Sequence, residues 1–194
     1  MDVKYFNADF FNLSKEPSLR FDIQYIKSNA GNDDFTSNFK LLFDFVSKER
    51  PNITEISNFL YAEIGNVDKT GSVEPVNLSF DNRNIEDDNY YKKIEKGDII
   101  LPQKGDILLS SIRPYLNKNV LIEDENVNIY FTKAFIQIRP KIKSRVLYYS
   151  LRTVFFNKLV SASRQGKGYP TLKENDLKTI YFSEKILENL VKNQ

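Results

Sequence analysis

From Phe59 to Pro140 the chain is a succession of short apolar stretches, each closed by glycine, proline or a polar cluster, and this pattern commits it to a multi-strand sheet. "FLYAEIGNVDKTGSV" reads as two strands joined at "DKTG", where Gly71 suits a tight turn. The phrase "KGDII" at 96–100 returns as "KGDILL" at 104–109, the second opening a strand that continues through "SSIRPY". Two copies do not make a solenoid and are read as local turn chemistry. After "VNIYF", the stretch "AFIQIRP" alternates Ala134, Ile136 and Ile138 with Phe135, Gln137 and Arg139 until Pro140 stops the strand.

Beyond Pro140 the period changes. Residues 144–162 predict one long helix, with Leu147, Leu151 and Val154 on its apolar face, Arg145 and Arg152 together opposite, and Lys158 at the rim. "RQGKGYP" breaks it, and "TLKENDLKTIYF" predicts a short helix capped by Thr171, with Glu174 at the capping-box spacing, then a strand at 178–182. "SEKILENLVKNQ" begins a further helix. On the N-terminal side, a strand is expected at 20–27, a loop at 28–34, and at "NFKLLFDFVSKERP" a helix or a helical turn entering a strand that ends before Pro51.

The 194 residues contain no cysteine and no histidine. A zinc site of the usual N/S kind, a nucleophile served by histidine and a disulfide are therefore excluded. No apolar run approaches the roughly 18 residues of a membrane span, and the N-terminus does not read as a signal peptide, so a soluble cytoplasmic protein of one domain is expected. Charge is unevenly placed. From Asn126 to Lys173 there are ten Lys and Arg and no Asp or Glu, so this window is +10, whereas a total of +2 leaves −8 for the rest. Clustered cations point to a polyanion, above all nucleic acid, through counterion release. The plainer alternative is a solvated basic face whose acids come from other segments.

Catalytic readings fare poorly. In "SASRQGKGYPTL", Ser161 stands where a phosphate-binding loop needs its first glycine, Gly168 follows Lys167 where a Ser or Thr is required, and a helix precedes. "DLK" at 176–178 lacks a distant acid partner for a magnesium nuclease, and "IEDDN" at 85–89 lacks ligand spacing. No glycine-rich cofactor loop or "NPPY"-like tetrapeptide marks a methyltransferase, and no cofactor is expected. Arg164, Gln165 and Lys167 lie among small residues that let backbone approach phosphate, while Arg and Gln reach base edges and Tyr115 and Tyr169 stack or pack on the sugar-phosphate. The same loop also reads as a glycine helix stop with a docked tyrosine.

The order of "FLYAEIGNVDKTGSV", "KGDILLSSIRPYLNKNVLI", "AFIQIRPK" and "LYYSLRTVFFNKLVSASRQGKGYPTLKENDLKTIYF" resembles a target recognition domain of the DNA-specificity (S) subunit of Type I restriction-modification systems. That resemblance implies an α+β fold, a twisted, partly barrel-like mixed β-sheet with flanking helices, over 1–182, with residues 183–194 starting a spacer helix. It implies sequence-specific double-stranded DNA recognition without catalysis, in company with DNA methyltransferase (M) and restriction (R) subunits and with a second recognition domain or a second copy of the chain. "SEKILENLVKNQ" departs from the family's proline-rich approach to that helix. With the basic window, phosphate positioning falls to Lys133, Lys141, Lys143, Arg145 and Lys167, and base contact to Arg113, Lys118, Arg164, Gln165 and Tyr169, with Tyr115 beside them. The rival readings are a scaffold binding an acidic protein and, weakest, a metal-dependent DNA enzyme.

Overall fold

The computed structural model describes residues 39–47, 51, 57–163, 168–178, 180 and 188. Seven strands are present among them: β1 (Phe43–Phe45), β2 (Asn58–Ala62), β3 (Val76–Ser79), β4 (Ile107–Ser110), β5 (Val120–Leu121), β6 (Ile129–Phe131) and β7 (Phe135–Pro140). Four helices accompany them: α1 (Asp88–Glu95), α2 (Ser144–Arg152), α3 (Phe156–Ala162) and α4 (Glu174–Leu177). One sheet runs β1-β7-β4-β5, antiparallel throughout; the other runs β3-β2-β6, with β2 antiparallel to β3 and parallel to β6.

Side-chain alternation divides the interior into three cores. In β4, Ile107 and Leu109 face α2 and α3, where they meet Ile136, Ile138, Leu147, Leu151 and Phe155; Leu108 points the other way. Leu108 and Phe135 pack there with Ala62, Ile129 and Phe131 of the second sheet. Phe59, Tyr61 and Tyr130, on that sheet's far side, close over Tyr91 and Ile94 of α1. The layers are thus α2 and α3, sheet, sheet, α1. The α+β class and the mixed pairing are as expected, and the described strands form two facing sheets that close no barrel.

Both "KGD" phrases are turns, for different reasons. Gly97 (φ 80°) ends α1: its N–H bonds Ile94 O and that of Asp98 bonds Lys93 O, the paired bonds of a Schellman stop. Gly105 (φ 90°) turns the chain into β4. Each aspartate then reaches forward, Asp98 to the Lys133 N–H and Asp106 to Gln137 and Arg139. The helix α1 was not read from the sequence, where "IEDDN" looked like an open loop. Asn84 accepts the Glu86 N–H, acids crowd the start and Lys92 and Lys93 the end, so the charges match the helix dipole.

Four further expectations need correction. The helix over 144–162 is two helices: Thr153 (φ −124°, ψ −79°) breaks it, and Phe155 N–H reaches back to Ser150 O. The break turns Phe155 into the core at 1% exposure and leaves Val154 outside at 60%. Burying the larger ring outweighs continuing a helix through two β-branched residues. Thr171 caps nothing and instead bridges to Ile112; the carboxylate of Asp176 caps α4 by accepting the Lys173 N–H. The hairpin at "DKTG" shrinks to a single Val67 to Val73 bridge, because β2 pairs with β3. Strand β4 stops at Ser110, as described below. The 3₁₀ turn Phe39–Leu41 leads into β1, as the helical-turn reading foresaw. The strand and loop at 20–34, most of the strand at 178–182 and all but Glu188 of the helix at 183–194 lie outside the described residues.

Candidate nucleic-acid interface

After Ser110 the chain leaves the sheet because the Ser110 backbone and side chain are both diverted. Its N–H goes to Asn119 Oδ1 (3.0 Å) and its Oγ donates to Ile112 O (2.7 Å). Arg113 is then left-handed (φ 49°, ψ 56°), Pro114–Leu116 make a 3₁₀ turn, and Asn117 is left-handed again (φ 54°, ψ 32°). A side chain in that region costs about 1–2 kcal/mol. Asparagine tolerates it better than arginine does. The bonds that offset this cost are on both flanks. Arg113 N–H donates to Pro170 O (2.8 Å) and Asn117 N–H to Pro114 O (3.0 Å). Arg152 Nη1 donates to Asn117 O (2.9 Å) and Asn119 O (3.1 Å), while Asn117 Nδ2 donates to Arg152 O (3.3 Å).

The turn presents Ile112, Tyr115 and Leu116 partly to solvent, and Tyr169 joins them. The Arg113 guanidinium lies over the Tyr169 ring, 3.4 Å from its centre, although Tyr169 is itself 62% exposed. Arg113 Nε is buried and has no hydrogen-bond partner. Leaving such a donor unmet costs about 1–3 kcal/mol. Lys118 Nζ sits at the base of the same turn, 3.3 Å from Ile64 O. Sequence neighbours alone do not make this cluster. Residues 111–113 and 170–172 are stitched together by the Arg113 to Pro170 bond and by Leu172 N–H to Ser111 O (2.8 Å).

In the basic window, Arg139, Lys141 and Arg145 are answered by acids from elsewhere. Arg139 forks onto Asp106 (Nε to Oδ1 2.8 Å, Nη2 to Oδ2 3.0 Å), whose carboxylate is 1% exposed. Lys141 pairs with Asp44 (2.8 Å), and Arg145 with Glu123 (Nε to Oε1 2.7 Å). Arg152 is spent on backbone carbonyls. Lys158 is half-buried, and that burial lowers the pKa of its ammonium. Exposed pairs such as Lys141–Asp44 and Arg145–Glu123 are worth about 0–1 kcal/mol, so a phosphate can displace the carboxylate; the Arg139–Asp106 fork is not exchangeable in that way. Lys133 is half-buried beside Asp98, which accepts its backbone N–H, and Lys143 is exposed where α2 begins. Arg164, Gln165 and Lys167 lie outside the described residues.

Of the expected residues, the structure brings Arg113, Tyr115, Lys118 and Tyr169 to one turn and sets Lys141, Lys143 and Arg145 along the opening of α2. Asn117, Asn119 and Arg152, which hold the turn, were missed as functional residues. The one local signal was "RPYLNKN", with Pro114 at a first helical position and asparagines suited to left-handed backbone. Among the described residues no three His, Cys, Asp or Glu side chains gather as a metal site, and no helix is long and apolar enough to cross a membrane. A groove of about 550 Å³ between Gly71, Glu123, Glu125, Arg145 and Tyr149 carries acids as well as a cation.

What emerges is a two-sheet α+β domain that holds a hydrogen-bonded basic and aromatic turn at the end of a central strand. Solved structures share this architecture. The HsdS subunit from Thermoanaerobacter tengcongensis superposes with a TM-score of 0.53 at 19% identity, covering 77% of this chain and 38% of its own. A chain from a structure of the complex assembly and conformational transition of the type I R-M system gives 0.53 at 20% identity, covering 70% and 34%. The present chain thus spans little more than a third of those solved chains. The sequence matches no family model and no curated protein. The resemblance to a specificity-subunit recognition domain is met at the level of the fold.

Proposed function

We propose that the domain reads a short double-stranded DNA sequence and supplies that specificity, without catalysis of its own, to a type I restriction-modification complex of methyltransferase and restriction subunits. The observation that supports it is the fold shared with the HsdS subunit over 77% of this chain. The turn at Arg113 adds chemistry suited to a duplex: a guanidinium, two exposed tyrosines and apolar side chains in one place. In this reading a second recognition domain or a second copy of the chain completes a two-part site, in the cytoplasm.

Lys141, Lys143 and Arg145 are the phosphate-positioning residues of the α2 end. Binding of the 194-residue chain to random duplex DNA, followed by fluorescence anisotropy between 50 and 200 mM salt, tests this. The expected slope of log affinity against log salt is about −0.9 per phosphate neutralised. Lys143→Ala and Arg145→Ala should each flatten it by about one without changing which sequence is preferred. A slope near zero overturns the DNA reading, and tight binding to an acidic protein with no DNA preference would replace it with the scaffold reading.

A further inference from the structure

We propose that Arg113 reads a guanine end-on through its two Nη groups, and that Tyr169 is the residue that positions it. This rests on the reading of the domain as a recogniser of duplex DNA and names the base it takes at one position. Three observations converge. Arg113 is held left-handed, with Asn117 left-handed three residues beyond the proline, in a turn braced by Pro170 O, Asn119 and Arg152. Strained backbone of this kind persists where neighbours over-determine it, and it clusters where a side chain must be aimed. The Tyr169 ring lies 3.4 Å under the guanidinium yet stays 62% exposed, so it fills no core; its contact is with the arginine. Finally, Nε is buried and unpartnered, which leaves Nη1 and Nη2 as the donors a ligand can reach.

Two parallel N–H donors in one plane match two acceptors on one edge. Guanine alone offers that in the major groove, with O6 and N7; adenine pairs its N7 with a donor, and the pyrimidines offer a single acceptor or donor. A phosphate also accepts a fork, but it is tetrahedral and takes an arginine from many directions, so it does not need the guanidinium plane fixed. Stacking on Tyr169 fixes that plane, which benefits a flat acceptor. Exposed Ile112, Tyr115 and Leu116 around it suit the apolar edges of sugar and thymine methyl better than the hydrated phosphate rim.

The test is selection from a random duplex pool by the 194-residue chain and by R113K, Y169F, Y169A and the double replacement R113K with Y169A, each first shown by thermal melting to be folded. The wild type should enrich a site holding guanine at one position. R113K keeps the charge but not the fork, and should lose preference for that guanine by about 5- to 150-fold while other positions hold. Y169F should behave as wild type, Y169A should lose part of the same preference, and the double replacement should be no worse than R113K alone. Equal loss on every sequence makes Arg113 a phosphate contact and overturns the proposal, as does an R113K that keeps every preference. If Y169A keeps the guanine, the positioning role falls. A wild type that enriches nothing overturns the DNA-reading function itself, a different failure from these.

Discussion

Replacing Gly71 with valine should lower the unfolding free energy by about 2–5 kcal/mol, combining the left-handed backbone with overpacking. Gly71 has φ 94°, and a Cβ there would fall on Tyr148 Oη and lie 2.6 Å from Asn119 O. The loop "DKTG" is built to allow that approach. Asp68 Oδ1 accepts the N–H of Thr70 (2.7 Å) and of Ser72 (3.0 Å), curling the loop so that Gly71 lies flat on α2. Tyr148 Oη bonds Asn119 O (3.0 Å), and Arg152 reaches Asn119 O and Lys69 O. The Asn119 backbone oxygen has little room to retreat, since Asn119 is buried and its side chain is tied to Ser110. Urea denaturation followed by circular dichroism should show a lower midpoint with an unchanged slope. Because Asn119 also braces the Arg113 turn, sequence discrimination should fall in whatever fraction remains folded. A midpoint within error of wild type would show that the loop lifts away at no cost.

Replacing Asp106 with alanine should cost a similar amount, about 3–5 kcal/mol, for a different reason. Its carboxylate accepts Gln103 N–H (3.0 Å), Gln137 Nε2 (2.7 Å) and both nitrogens of the Arg139 fork. Arg139 is 46% exposed and can rehydrate, but Gln137 is 3% exposed and would be left with an unmet buried donor. Asp106→Asn should fall between the two, since it keeps one acceptor oxygen while turning a donor toward the guanidinium. The same denaturation experiment checks the order. An Asp106→Ala protein as stable as wild type would mean that water replaces the carboxylate between β4 and β7.

Much of the scaffold was legible because its determinants are local. "AFIQIRP" carries its own alternation and its own stop, the turn before β1 is written in "FKLLFDF", and each glycine of "KGD" needs only its neighbours to be left-handed. Helix α1 has local signals as well, in Asn84, the acids after it and Gly97, but its polar face makes "IEDDN" read as a loop, and the helix is not found from the sequence. The break at Thr153 was not legible, because it depends on whether Phe155 or Val154 finds room in a core formed by strands far away in sequence. The site divides in the same way. From residue type the sequence offers Arg113, Lys118 and Tyr169 as candidates for base contact, with Tyr115 beside them, but neither the stacking of Arg113 on Tyr169 nor the bracing by Asn119 and Arg152.

By itself the sequence determined which chemistry is excluded, the strand at "AFIQIRP" with its stop, and where the cations are concentrated, since residue type and short-range period suffice for these. Only the tertiary structure decided which cations remain available. The acid-free window from Asn126 to Lys173 looked uniformly basic, yet Asp44, Asp106 and Glu123 arrive from other strands and loops to meet Lys141, Arg139 and Arg145. Charge is fixed residue by residue, but its availability depends on distance and burial, and both are set by how separate segments pack.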